Sequence, residues 1–258
     1  EASEFPLIPE VKSKKLFSLS VKSLQEAIRK VLFACAIDET RPVLTGVYLK
    51  VEGSVLKLAA TDSYRLAEAT INLEQKADRN TEVIVPSRTI SELGRILTTA
   101  SKTIDVYLEE NQILFVLDDT QIISRLIEGS FPDYKQIIPK EHNSSFEVSV
   151  EEFSKVVKMA SFFARESANN IKLNFSQEEL AVTAVSPQLG DNISTISIQA
   201  KGENLDIAFN AKFVLDILNV IDEKSAVIEA NGKLQPTIIK PKSNKSYVYV
   251  VMPLRVEE

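Results

Sequence analysis

Five consecutive side chains, Thr61, Asp62, Ser63, Tyr64 and Arg65, gather two hydroxyls, a carboxylate, a phenol and a guanidinium. They interrupt "LAATDSYRLAEATI", residues 58–71, which reads as two strands broken at a turn. Such a cluster could be a metal-hydrolase centre built on Asp62 and neighbouring acids, a ligand site, or a polar corner between strands. The rest of the chain offers little to a catalyst. The one histidine, His142, lies in the loop-like "PKEHNSS", and a Ser-His-Asp triad would have to use it. With one His and one Cys, a zinc site of the usual Cys/His type lacks ligands. Only seven glycines occur, and neither G-x-G-x-x-G nor G-x-x-x-x-G-K-[ST] is present. The carboxylate pairs Glu109–Glu110 and Asp118–Asp119 fall where strands turn, which reads as solvated hairpins. No catalytic residue, metal or cofactor is assigned, and the chain reads as a binding protein.

The elements around that cluster are mostly short strands with period-two alternation. "VYLKVEGSVLKLAA" reads as two strands about Gly53, and "TIDVYLEENQILFVLDDTQIISRLIE" as three with turns at Asn111 and Asp119. "AVIEANGKLQPTIIKPKSNKSYVYVVMPL" contains Asn231-Gly232, the strongest hairpin dipeptide. Four stretches have helical period instead. The first lines up Val21, Leu24, Ile28, Val31, Leu32 and Cys35; the second, "RTISELGRILTT", lines up Ile90, Leu93 and Leu97. The third follows Ser149, with Glu152 in capping-box position, and lines up Val150, Phe153, Val157 and Ala160. The fourth aligns Val214, Ile217, Leu218 and Ile221.

These pieces repeat. Phe17, Leu19, Val21, Leu24 and Phe33 fall on Phe146, Val148, Val150, Phe153 and Phe162 at a shift of 129, since 146 − 17 = 129. Ile90 and Leu93 fall on Val214 and Ile217 at a shift of 124, since 214 − 90 = 124. Each half is strand, helix, strands, helix, strands: a domain-scale duplication in an α+β chain, with helices packed on antiparallel sheets and a joint near residues 140–145. At 258 residues, 44% apolar and 26% charged, the chain has the make-up of a soluble globular protein with room for two domains. Its apolar runs are too short to span a bilayer, a signal-peptide layout is lacking, and lone Cys35 fits a reducing compartment; these point to the cytoplasm. The opening "EASEFPLIPEVKSKK" starts without Met and reads as an interdomain linker. A net charge of −6 leaves no general basic coat, yet the polar helix faces carry Lys22, Arg29, Arg88, Arg95, Lys155, Lys158 and Lys212. They are either one local positive surface or ordinary solvated helix faces.

Six motifs in order and register make the chain resemble one family, the bacterial sliding clamp, the β subunit of DNA polymerase III. They are "RPVLTGVYLKVEG" (41–53), "ATDSYRLA" (60–67), "VIVPSRTISEL" (83–93), "EGSFPDYKQIIP" (128–139), "FNAKFVLDIL" (209–218) and "YVVMPLR" (249–255). The resemblance implies subunits of three similar domains, two of which close head to tail into a ring around duplex DNA, helices inside and sheets outside. Residues 1–16 would then be an interdomain linker, 17–140 the second clamp domain and 141–258 the third. Without a first domain, which supplies half of each subunit interface, this stretch is expected to be a monomer that cannot close a ring. The implied function is that of a non-catalytic processivity factor. Its implied partners are duplex DNA, bound without regard to sequence, and the polymerase catalytic subunit, the clamp loader and repair proteins, which insert short linear peptides. The alternative is a scaffold of the same fold that binds proteins without encircling DNA.

Carried over position by position, the deeper part of the peptide pocket resembles Leu44, Thr61, Ser63, Tyr64, Arg65, Leu66, Pro132, Ile137, Val250 and Met252. The shallower groove resembles Arg41, Gln136, Asn210, Phe213, Leu234, Pro236, Pro253, Leu254 and Arg255. Leu254 stands where many relatives have Met, and Pro42 and Val43 where some have aromatic residues. The resemblance also turns the basic helix faces toward DNA phosphates, with Arg88 foremost, then Lys22, Arg29, Arg95, Lys155, Lys158 and Lys212.

Overall fold

The computed structural model describes residues 13–97 and 102–255. Most of the opening linker stretch, the last two residues of "RTISELGRILTT" and residues 256–258 lie outside the described residues. The chain forms two compact units, one of residues 1–60 and 69–131, the other of residues 61–68 and 132–258. The segment Thr61–Glu68 packs with the second unit.

In the first unit, β1 (Lys15–Ser20) leads into α1 (Val21–Val31), and β5 (Thr81–Pro86) leads into α2 (Ser87–Ile96). The Ser20 hydroxyl caps α1 by accepting from the Ser23 N–H. Val21, Leu24, Ala27, Ile28 and Val31 bury the helix's apolar stripe, which is why the sequence spacing was legible. β2 (Gly46–Glu52) and β3 (Val55–Thr61) pair antiparallel, as do β6 (Thr103–Leu108), β7 (Gln112–Leu117) and β8 (Thr120–Arg125) in series. One sheet has the order β1-β6-β7-β8; the other runs β5-β2-β3 to the last residues of β4 (Arg65–Asn72).

The second unit repeats the plan. β9 (Ser144–Ser149) leads into α3 (Val150–Phe163), whose first turn is capped by Ser149 Oγ accepting from the Glu152 N–H at 3.3 Å. β10 (Asn170–Phe175), β11 (Glu179–Ser186), β12 (Gly190–Ser197) and β14 (Leu205–Asn210) form a sheet in the order β12-β11-β10-β14. The other sheet runs β13 (Gln199–Lys201), β9, β15 (Ser225–Ala230), β16 (Thr237–Pro241) and β17 (Tyr247–Val251), and continues into the first residues of β4. α4 (Ala211–Leu218) follows β14 directly, with Asn210 as its cap. Phe146 on β9 stacks on Phe175 at 4.2 Å between ring centroids, deep in this unit's core.

These findings establish the α+β class, with four α-helices among the described residues packed on antiparallel sheets. The Asn231-Gly232 dipeptide does not make a two-residue turn: β15 and β16 pair, but six residues separate them. Asn231 ties a neighbouring loop instead, its oxygen accepting from Asn143 N–H and its amide donating to the Glu141 carbonyl. Pro236, which has no N–H for the ladder, delays the start of β16. No helix among the described residues is long and apolar enough to cross a membrane.

Candidate functional site

The polar cluster is a strand corner held by its own side chains. Thr61 Oγ1 donates to the Arg65 carbonyl at 2.6 Å and accepts from the Ser63 N–H at 3.1 Å. Asp62 Oδ1 accepts the backbone N–H groups of Tyr64 and Arg65, each at 3.0 Å. These bonds hold Ser63 at φ 77°, left-handed backbone that a non-glycine residue adopts at a cost. Asp62 Oδ2 accepts from Arg65 Nε at 2.9 Å, so both carboxylate oxygens are engaged within the corner. That leaves Asp62 poorly placed to serve as a base or metal ligand. The corner is scaffolding.

Arg65 is its keystone. Though cationic, it is 7% exposed. Its Nη1 donates to Asp216 of α4, and its guanidinium lies over the Phe213 ring at 4.4 Å. Burial works against the charge, but the Asp216 hydrogen bond, the neighbouring Tyr249 and Asp62 outweigh it and raise the guanidinium pKa above its ordinary value. Tyr249 is fully buried, and burial drives its phenol pKa upward; its hydroxyl donates to the Phe213 carbonyl at 3.0 Å. Two strand-end contacts complete the frame: Met252 N–H donates to the Tyr64 carbonyl at 2.8 Å, and Leu254 N–H to the Ala208 carbonyl of β14 at 2.8 Å. A second buried polar pair links β4 to the 3₁₀ turn at Tyr134–Ile137, where Tyr134 OH donates to Glu68 Oε2 at 2.5 Å.

Around this frame the second unit presents apolar groups to solvent: Tyr64 (64% exposed), Leu234 (56%), Ile137 (46%) and Met252 (37%). Pro132, Gln136 and Arg255 are exposed, and Asn210, Phe213, Pro236, Pro253 and Leu254 half-buried. Gln136 is tied to Asp133 and Asn210 to its helix, leaving part of their hydrogen-bonding capacity for a ligand. Thr61, Arg65, Leu66 and Val250 are buried, forming the support beneath the surface. Leu44 and Arg41 belong to the first unit, where the Leu44 N–H donates to the Arg41 carbonyl at 2.9 Å in a 3₁₀ turn. Leu44 is buried and Arg41 exposed. The sequence reading did not single out Asp216, Tyr249, Glu68 or Tyr134. Only Asp216 leaves a trace, as a charge inside the apolar run of "FVLDIL".

All seven basic residues assigned to the helix faces are exposed. α1 packs beside α2 in the first unit, and α3 beside α4 in the second. Arg95 shares its charge with Glu92 and Lys155 with Glu151, so those two faces are less positive than the sequence alone suggests.

Residues 18–133 match the family model of the DNA polymerase III beta subunit central domain, and residues 135–255 that of its C-terminal domain. The chain is 35% identical, over 99% of its length, to the beta sliding clamp of Staphylococcus epidermidis, and covers 68% of that protein. This chain belongs to the bacterial sliding-clamp family. Solved clamp-family structures agree in fold. The DNA polymerase sliding clamp of Bacillus subtilis superposes with a TM-score of 0.95 at 32% identity, over 100% of this chain and 68% of that one. The Thermotoga maritima DNA polymerase III beta subunit does so with a TM-score of 0.94 at 28% identity, over 100% of this chain and 70% of that one. Clamp-family membership makes this a sliding clamp of DNA replication.

Proposed function

We propose that the second unit docks short linear peptides of replication and repair proteins on the surface around Tyr64, Ile137, Leu234, Met252 and Leu254. The observation that carries this reading is the pairing of exposed apolar side chains with a rigid, buried Arg65–Asp216 frame. Preformed apolar surface over a fixed support is what a short peptide needs to bind without ordering its host. Each apolar anchor entering such a site gains roughly 1.5–3 kcal/mol from burial. Two or three anchors, less the cost of ordering the peptide, correspond to roughly micromolar affinity. Exchangeable binding of that strength suits a platform shared by polymerase, clamp loader and repair enzymes.

The wider reading is a non-catalytic, cytoplasmic processivity factor that encircles duplex DNA once two three-domain subunits close. Residues 17–140 and 141–258 would be the second and third of those domains. The basic helix residues would meet phosphates without reading bases, led by Arg88, in contacts that weaken with salt. One feature of the second unit supports ring closure. β12 is an edge strand of its sheet; Ile193 on it, Leu189 in the turn before it and Val185 on neighbouring β11 are exposed, as are Met159 and Phe162 on the α3 helix packed against β11 and β12. An open edge flanked by apolar side chains is a surface for another subunit.

The test is fluorescence polarisation of a labelled Gln-Leu-Ala-Leu-Phe peptide against this chain and its Met252→Glu variant. Micromolar binding to the parent and loss in the folded variant are expected. A folded parent that ignores the peptide would sink the docking reading.

A further inference from the structure

A groove of about 470 Å³ adjoins the proposed peptide surface, and Leu234 and Leu254 belong to both. The two strands that line it do so differently. β10 contributes alternate residues, Lys172 and Asn174, whose exposed side chains stand on the outer face of the sheet. β14 contributes three residues in a row, Asp206, Ile207 and Ala208, although Ile207 is buried. Side chains alternate along a strand while the main chain runs unbroken, so the groove follows the free edge of β14. Among the described residues that strand pairs only with β10 and forms an edge of its sheet.

One contact on that edge sets its parity. The Leu254 N–H donates to the Ala208 carbonyl at 2.8 Å, from the side away from β10. Main-chain groups alternate in direction along an antiparallel strand, so Asp206 and Ala208 turn theirs outward while Ile207 and Phe209 turn theirs to β10. Among the described residues nothing pairs with the Ala208 N–H, or with the N–H and carbonyl of Asp206. An extended piece of the chain's own end therefore rests on one point of the edge and leaves the rest open, beside an apolar docking surface. We infer that a segment flanking the apolar anchors of the docked peptide runs along this groove as a short added strand, its main chain hydrogen-bonded to Asp206 and Ala208. Such recognition asks only for an extended segment with free N–H groups, so partners of unrelated flanking sequence can share it. The inference rests on the peptide-docking reading above.

The experiment measures, by fluorescence polarisation, Gln-Leu-Ala-Leu-Phe peptides with and without a Thr-Val-Thr-Val flank at one end or the other. In a second series each flank amide in turn is replaced by an ester, which removes one N–H and keeps the extended shape. One of the two flanked peptides binds about 3–10-fold tighter than the unflanked one, as one or two main-chain hydrogen bonds would give. Esters at alternate positions weaken that gain, and those between them do not, because only every second N–H faces the edge. Asp206→Pro deletes an outward N–H and no bond to β10, a change that edge strands tolerate, and removes most of the gain. Asp206→Ala loses the carboxylate's bond from the Asn174 amide but keeps the N–H, and retains the gain. The gain is the ratio of flanked to unflanked affinity within each variant. No gain from either flank, esters that act at every position or at none, or a full gain in folded Asp206→Pro would overturn the added strand and leave peptide docking intact. Failure of the unflanked peptide to bind the parent would overturn both.

Discussion

The corner at residues 61–65 and the one at residues 186–190 start from the same local chemistry and end in different places. In each, a hydroxyl at the end of a strand holds the turn. Thr61 accepts from the Ser63 N–H, and Ser186 accepts from the N–H groups of Gln188 and Leu189 at 3.3 and 3.2 Å. Each corner also has a left-handed residue, Ser63 at φ 77° and Gly190 at φ 85°. Beyond that they diverge. The first leads into β4, which lies inside its sheet, and its Arg65 is buried between Asp62 and Asp216. The second leads into edge strand β12, with Leu189 and Ile193 exposed. A turn motif sets the local bend, and the surroundings decide whether the bend becomes a rigid frame or an open apolar rim.

The largest contrast should come from charge. Arg65→Met removes the cation and leaves Asp62 and Asp216 uncompensated at a buried site, and is expected to cost about 3–5 kcal/mol in urea unfolding. Leu189→Ala, at the other corner, should stay within about 0.5 kcal/mol. Equal losses would erase the distinction.

Hydroxyl removal comes next. Thr61→Val removes the hydroxyl's bonds to the buried Arg65 carbonyl and from the Ser63 N–H, leaving that carbonyl only the longer bond from the Asp62 N–H, with an expected loss of about 1–3 kcal/mol. Ser186→Ala should cost about 1 kcal/mol or less, because its partners, the N–H groups of Gln188 and Leu189 and the Glu166 carboxylate, belong to exposed residues that water can reach. Backbone strain sharpens the pair further. Gly190→Ala meets open space but an unfavourable φ, and should cost about 1–2 kcal/mol, whereas Ser63→Gly should be neutral or gain about 0.5 kcal/mol. Thermal unfolding of the two variants side by side reads out both signs.

The smallest effect belongs to an exposed ion pair away from either corner. The Lys242 ammonium donates to Glu147 at 2.7 Å and holds that carboxyl below its ordinary pKa. A lowered folded pKa means stability present above the ordinary glutamate range and lost as pH falls through the folded value. Lys242→Ala should therefore cost under about 1 kcal/mol near neutral pH, with the difference closing in acid. A larger loss would mean that exposed pairs matter here as much as the buried Arg65.

Much of the fold was legible because its signals are local. The apolar stripe of α1, the Ser149 cap on α3 and the three strands β6 to β8 each declare themselves within a few residues. The duplication was legible because Phe17 and Phe146 do the same job at the start of each half. The site was legible only in part. Its positions came from resemblance, while the partners that stiffen it, Asp216 and Tyr249, carry no spacing signal toward Arg65.

The amino-acid order by itself determined where helices begin, which faces they bury, that the halves repeat, and which family they repeat. Those properties follow from side-chain period and capping over one or two turns of chain. Tertiary structure alone decided that Arg65 meets Asp216, 151 positions away, that residues 61–68 pack with the second unit, and that Leu254 lies along Ala208. Contacts between distant segments depend on how sheets bring strands together, and no local pattern encodes that choice.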